Sequence, residues 1–188
     1  MTTIVNGFIL AGGRSTRMGT DKALLDWHGH TLLSHMIDML QNATDDVRVI
    51  GRDLQLDHLP GLGPLSGIAT ALSITSTDNN LILALDLPLL TKDFLTYFRE
   101  TAEYSKRPML ACKIGAHFPL CLGIRRKLLP AVQRRLSRGE LSVRALIRDS
   151  DAEIISESEL HKRGFGSSIF RNLNTPDDYL ELRGLNDK

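Results

Sequence analysis

Residues 4–10 form a short, β-favouring apolar run that stops abruptly at Ala11-Gly12-Gly13, as a buried strand feeding a loop does. After a polar stretch, Leu32, Leu33, Met36, Ile37 and Leu40 recur at helical spacing and predict a helix over 31–40. A short strand over 47–50, a Pro/Gly-rich loop and a helix over 66–74 follow. Residues 80–87 contain the unbroken run Leu81-Ile82-Leu83-Ala84-Leu85, the mark of a strand covered on both faces. Over 91–104, Phe94, Leu95 and Phe98 share one helical face, Thr91 is placed to cap the helix, and Asp93 sits in the first turn, where negative charge is favoured. Strand and helix have by then alternated three times, which predicts a mostly parallel α/β sheet with right-handed crossovers and helices on its faces.

The second half is less regular. Strands over 108–113 and 118–124, joined by a polar connection around Gly115, are expected to pair as a hairpin and give an antiparallel element at one side of the sheet. A basic helical region over 125–149 is interrupted at Gly139. A strand over 168–171 precedes a helix over 176–183, with Thr175 or Asn174 as cap, Pro176 in the first turn, and Asp177 and Asp178 favourable to the dipole. Internal repeats and low-complexity tracts are absent from the sequence.

Composition narrows the class. The 188 residues suit one domain, 1–188, with a sizeable core, and 42% apolar against 24% charged residues fits a soluble globular chain rather than a disordered or membrane one. Lys and Arg number 23 against 22 Asp and Glu, a net charge of +1, which is too balanced for a general nucleic-acid binder. No nucleic acid and no membrane are expected as partners, and the N-terminus lacks the basic and small-residue pattern of a signal peptide. Cys112 and Cys121 have no CxxC spacing and are read as buried thiols, consistent with a cytoplasmic protein.

Chemistry concentrates in a few segments. The connection after the first strand places Gly12 and Gly13 beside Arg14, Arg17 and Lys22: glycines let backbone amides approach a ligand, and the cations suit a polyphosphate. The spacing is neither a Walker A loop nor GxGxxG. The competing account is a solvated surface loop, but its place at the carboxyl end of strand one favours binding. Asp86 follows the most apolar strand and is either a turn or cap residue, a duty that Thr91 already covers, or a ligand for Mg²⁺, which takes one or two protein oxygens and completes its shell with phosphates and water. Asp57, before the glycine-rich 60–67 loop, is either a solvated aspartate or an acceptor for two adjacent N–H donors, the pattern on guanine's edge that cytosine lacks.

LAGGRSTRMGTDK at 10–22, GPLSG at 63–67, LDLP at 85–88 and NLNTPDD at 172–178 together resemble, in order and over nearly the whole chain, the molybdenum cofactor guanylyltransferases, the bacterial MobA proteins. The first segment alone is shared with cytidylyltransferases and sugar-phosphate nucleotidyltransferases; the closing Asn-x-Asn-Thr-Pro and the short length are similar to the molybdopterin branch. The resemblance implies a three-layer Rossmann-like fold of the nucleotide-diphospho-sugar transferase type, a mostly parallel sheet with helices on both faces and a small antiparallel element. It implies transfer of GMP from Mg-GTP to the terminal phosphate of molybdenum-bearing molybdopterin, with release of pyrophosphate. By matching positions it implies that Leu10, Ala11, Gly12 and Gly13 meet the nucleotide, Lys22 its phosphates, Asp57 the guanine and Asp86 the metal, with Asn172 and Asn174 near the pterin-side substrate. The chain departs from the family's pattern at Val49-Ile50-Gly51-Arg52, where relatives often carry an asparagine, and at His117-Phe118-Pro119, where they carry His-Pro.

Such a reaction brings two anions together and expels a third, so Arg17, Lys22 and Mg²⁺ on Asp86 are the expected agents of charge neutralisation and alignment. A cytidylyltransferase, a sugar-phosphate nucleotidyltransferase and a non-catalytic GTP-binding module stay open as alternatives. Over 125–148, eight basic residues stand against Glu140 alone; they are read as an exposed helix face with Leu128, Leu129, Val132 and Leu136 packed inward. The other account makes that surface a lure for the anionic pterin, or for a molybdenum-insertion protein or acceptor molybdoenzyme.

Overall fold

The computed structural model describes residues 3–12, 18–51 and 63–185. The chain runs through β1 (Val5–Leu10), a 3-10 turn (Lys22–Leu24), a small hairpin of β2 (Asp26–Trp27) and β3 (His30–Thr31), α1 (Leu32–Gln41), β4 (Asp46–Ile50), α2 (Pro64–Ile74), β5 (Asn79–Ala84) and α3 (Lys92–Tyr104). It continues with β6 (Met109–Lys113), β7 (Cys121–Arg125), a 3-10 turn (Arg126–Leu128), α4 (Leu129–Ser137), α5 (Val143–Asp149), β8 (Glu153–Ser156), α6 (Glu157–Lys162), a 3-10 turn (Ser167–Phe170) and α7 (Pro176–Leu185).

Six strands form one sheet in the order β4-β1-β5-β7-β6-β8. β1 lies parallel between β4 and β5, with Leu10 opposite both Ile50 and Ala84, and β8 is parallel to β6. Only β7 is reversed, antiparallel to β5 and to β6. The sheet is therefore mostly parallel, as the sequence predicts. Its side chains alternate: Ile9, Leu81 and Leu83 pack with α1 and α3, while Phe8 and Ile82 pack with α2, α4 and α5. Continuous apolar sequence in β5 follows from having helices on both sides of it.

The local signals act as read. Thr91 Oγ accepts from the Phe94 amide at 3.2 Å to start α3, and Thr175 Oγ accepts from the Asp178 amide at 3.1 Å to start α7. Gly139, with φ +70°, separates α4 from α5. Two expectations are corrected. The 108–124 hairpin forms, but β7 is inserted between β5 and β6, so the antiparallel strand lies inside the sheet rather than at one side; Cys121, Leu122 and Ile124 are buried, which requires cover on both faces. Residues 168–171 are not a strand. Among the described residues no ladder partner meets them, and the backbone closes on itself, Arg171 N–H to Ser168 C=O at 3.1 Å, while the Phe170 ring stands edge-on to Phe94 with centroids 5.0 Å apart. The hydrophobic pattern does not predict the β2–β3 hairpin, β8 or α6, although Ser156 and Glu159 form a capping box that is visible as S-x-x-E.

Both cysteines are buried and free. Burial pushes the Cys112 thiol up to about 12 and that of Cys121 well above its usual 9.0. Neither thiol is expected to react with a disulfide reagent at pH 8 while the protein is folded, and both are expected to react on unfolding; rapid labelling of the native protein would contradict this.

Candidate active site

The carboxyl ends of β1, β4 and β5 bring Leu10, Ile50 and Ala84 to one edge of the sheet, where a cleft of about 1460 Å³ opens. The chain leaves β1 toward β4 and leaves β5 toward the opposite edge, so the cleft lies where the winding reverses, the usual ligand position in open α/β sheets. A pocket for one small molecule has roughly 300–1,000 Å³, so this cleft has room for more than one.

One wall is built from the β1 edge. Ala11 N–H donates to Ile50 C=O at 3.0 Å and Leu85 N–H to Leu10 C=O at 3.2 Å, which fixes the start of the Ala-Gly-Gly loop. Gly51 has φ +90°, and a Cβ there would stand 2.5 Å from the Gly12 Cα, so the crossing of these two backbones requires glycine. Gly63 (φ +72°) turns the chain into α2, and Pro64 takes the first helical position, where no N–H is needed. With only glycine at its cap, the positive end of α2 is offered to the cleft.

The floor carries the carboxylate. Leu85 and Leu87 are both buried in the core beneath α1 and α3, and the intervening Asp86 lines the cleft. Oδ1 of Asp86 is buried and has no hydrogen-bond partner among the described residues. The following segment is pinned by His35, whose Nε2 lies 2.9 Å from the Pro88 carbonyl; the carbonyl only accepts, so this ring nitrogen donates. Burial is the main reason that the His35 pKa falls below its ordinary 6.5.

Lys22 reaches the same place from the other side of the chain. Its Nζ donates to the Leu173 carbonyl at 2.7 Å and to Asn174 Oδ1 at 3.1 Å, while the Leu173 N–H donates to the Asp86 carbonyl at 2.9 Å. One residue of main chain thus joins Lys22 to Asp86. Leu173 is itself fully buried. The strap 172–174 is held in turn by Asp178, whose Oδ2 accepts from the amides of Asn174 and Thr175 at 2.9 and 2.8 Å. α7 is tied down beyond it, Tyr179 O–H donating to Asp26 C=O at 2.6 Å beside the buried Trp27.

Of the residues expected from sequence, Leu10, Ala11, Gly12, Lys22, Asp86 and Asn172 line the cleft. Asn174 joins them through Lys22. Gly13, Arg17 and Asp57 lie outside the described residues. His117 lines the far wall but is exposed, and its backbone pairs with Ile114. Two cations that no motif marks also line the cleft, Arg144 on α5 and Arg171 after the 3-10 turn. Arg171 is clamped at 2.7 and 2.6 Å by both oxygens of Glu181. Arg144 is exposed and has no ion pair among the described residues. Its place in a run of basic residues hid it: Ser142 announces the new helix, but nothing local says that α5 packs against the sheet with Arg144 at the cleft.

Among the described residues no three His, Cys, Asp or Glu side chains converge, so no all-protein metal cage is built. A single carboxylate with one unsatisfied oxygen beside a polyphosphate-sized cleft is instead the donor set that suits Mg²⁺, which takes most of its shell from phosphates and water.

The sequence pattern of the MobA-like NTP transferase domain matches residues 7–154. The chain belongs to this family. The transferase is 31% identical over 183 residues to a probable molybdenum cofactor guanylyltransferase of Carboxydothermus hydrogenoformans, covering 93% of this chain and 92% of that protein. Its fold matches the crystal structure of molybdopterin-guanine dinucleotide biosynthesis protein A from Archaeoglobus fulgidus with a TM-score of 0.82 at 18% identity, over 97% of this chain and 98% of that one. Rv0371C of Mycobacterium tuberculosis H37Rv, solved as a complex with manganese, matches with a TM-score of 0.72 at 16% identity, over 97% and 99% of the two chains. This MobA-like transferase is accordingly a nucleotidyltransferase enzyme.

In the transferase the Asn174 amide, the largest cause, and the Thr175 hydroxyl and amide hold Asp178 below the ordinary carboxylate value of 3.8. A depressed carboxylate stabilises the fold above its unfolded pKa and loses that contribution as pH falls through the folded value. Unfolding followed against pH is expected to show Asp178→Asn losing stability at neutral pH and drawing level with the parent toward pH 2; a constant difference across that range would refute the assignment.

Proposed function

We propose that the transferase, acting as one domain over residues 1–188, moves GMP from GTP to the terminal phosphate of molybdenum-bearing molybdopterin and releases pyrophosphate. The observation that carries this reading is the Asp86 oxygen that has no partner among the described residues, in a cleft that Lys22 also lines and that has room for two substrates. The names of two relatives, a probable molybdenum cofactor guanylyltransferase and a molybdopterin-guanine dinucleotide biosynthesis protein, support guanine and molybdopterin as the two partners in the exchange.

The chain's own groups divide the work. The β1 edge from Leu10 to Gly12 and the positive end of α2 receive the nucleotide, and Lys22 meets its phosphates. Asp86 is the ligand for Mg²⁺, which when bound supplies charge neutralisation on the phosphates. Arg144 and Asn172, which also line the cleft, receive the anionic acceptor. An acceptor phosphate oxygen attacks the α-phosphorus, the bond to the β-phosphate bridging oxygen breaks, and pyrophosphate leaves with that electron pair. The acceptor phosphate has a second pKa of about 6 and is already ionised, so no general base is needed and His117 has no proton to remove. Arg17 and Asp57 keep the phosphate and guanine roles that the resemblance implies.

Pyrophosphate release measured with GTP, CTP and UTP, each with and without molybdenum-bearing molybdopterin, is expected only with GTP and acceptor together. Faster release with CTP would move the chain to the cytidylyltransferases, and turnover on a sugar phosphate to the sugar branch. Lys22→Ala and Asp86→Ala are each expected to lower turnover by about 10²-fold or more with circular dichroism unchanged. Arg144→Ala is expected to raise the KM for the acceptor about tenfold and to leave GTP affinity alone; an unchanged acceptor KM would remove Arg144 from the site.

A further inference from the structure

The two asparagines of the strap do not face the same task. Asn172 is exposed and lines the cleft, whereas Asn174 is half-buried, lies outside the cleft lining, and spends its amide oxygen on Lys22. A lysine ammonium only donates, so the amide must present its carbonyl there. Asn174 is also fixed from behind, because its own N–H is held by Asp178. From this geometry we infer that Asn174 is a positioning residue for the nucleotide and does not touch the acceptor: with the Leu173 carbonyl it seats the Lys22 ammonium where phosphates meet it. The chemistry of the two acceptors is what makes the seat useful. An amide oxygen and a peptide carbonyl are neutral, so they immobilise a charge on a flexible stem without cancelling it. A carboxylate in either place would pair with the ammonium and compete with the phosphates.

This inference rests on Lys22 meeting the nucleotide, so the test separates the two. Equilibrium binding of Mg-GTP alone, with no acceptor present, is measured by calorimetry for the parent, Lys22→Ala, Asn174→Ala, the double variant and the isosteric Asn174→Asp. Asn174→Ala is expected to weaken GTP binding about tenfold, and the double variant to bind no more weakly than Lys22→Ala, because the second change acts only through the first. Asn174→Asp is expected to bind GTP more weakly than the parent at neutral pH and to narrow that gap as pH falls through the carboxylate range. In turnover assays the acceptor KM of the Asn174 variants is expected to stay within about twofold of the parent. If Lys22→Ala binds GTP like the parent, the phosphate role of Lys22 fails and the inference with it. If Lys22→Ala weakens binding but the Asn174 effect is additive, or Asn174→Ala raises the acceptor KM with GTP binding intact, the Lys22 role survives and the inference is overturned. Loss of the native circular dichroism in both Asn174→Ala and Asn174→Asp would equally overturn it, assigning Asn174 to the fold.

Discussion

The cleft depends on a two-ended hydrogen bond through one residue. Leu173 gives its N–H to the Asp86 carbonyl and its C=O to the Lys22 ammonium, and its side chain is buried in the core under α1 and α3. Three stretches that are remote in sequence, the end of β5, the turn after the Ala-Gly-Gly loop and the entry to α7, are thereby held at one point. Without that residue Lys22 and Asp86, which the proposed reaction asks to serve the same polyphosphate, would lose the link that sets their separation. Apolar burial supplies the force, and the two hydrogen bonds supply the direction.

The polar groups of the site are aimed by their apolar neighbours. Leu85 and Leu87 are buried on either side of Asp86, and Leu173 is buried between Asn172 and Asn174. In each triplet the hydrophobic positions decide which way the polar ones can turn. The far wall uses the same device with aromatic rings: Phe170 is set against Phe94 of α3, so the 3-10 turn that carries Ser167 and Ser168 to the cleft is anchored to a helix on one face of the sheet. α5, with Arg144, is anchored through Leu146 and Ile147 on the other face. The cleft is therefore a seam to which both cores contribute one side.

Charge is distributed along that seam with little waste. Arg171 is held by Glu181 and Arg135 by Glu140 and Asp149, so much of the basic character of the second half is matched locally. Lys22, whose ammonium donates to the Leu173 carbonyl and the Asn174 amide oxygen, and Arg144 both line the cleft. A near-zero net charge is compatible with the proposed binding of two anions, because that reading asks for placement of a few groups and a helix end rather than an overall field.

Much of this was legible in the linear chain. Periodicity located α1, α3 and the buried β5, the cap at Thr91 was readable as a single residue and that of α7 as Thr175 or Asn174, and the four short motifs marked stretches that meet at the cleft, because each of these signals records a local demand: a strand covered on both faces, an orphan amide at a helix start, a glycine-rich turn. What the tertiary structure alone decided is who faces whom. The insertion of β7 between β5 and β6, the 3-10 turn in place of a strand at 167–170, the arrival of Arg144 at the cleft and the turning of Asn174 toward Lys22 all depend on contacts between residues far apart in sequence. Local pattern states which face of an element is apolar; only packing against a particular neighbour determines what its polar face meets.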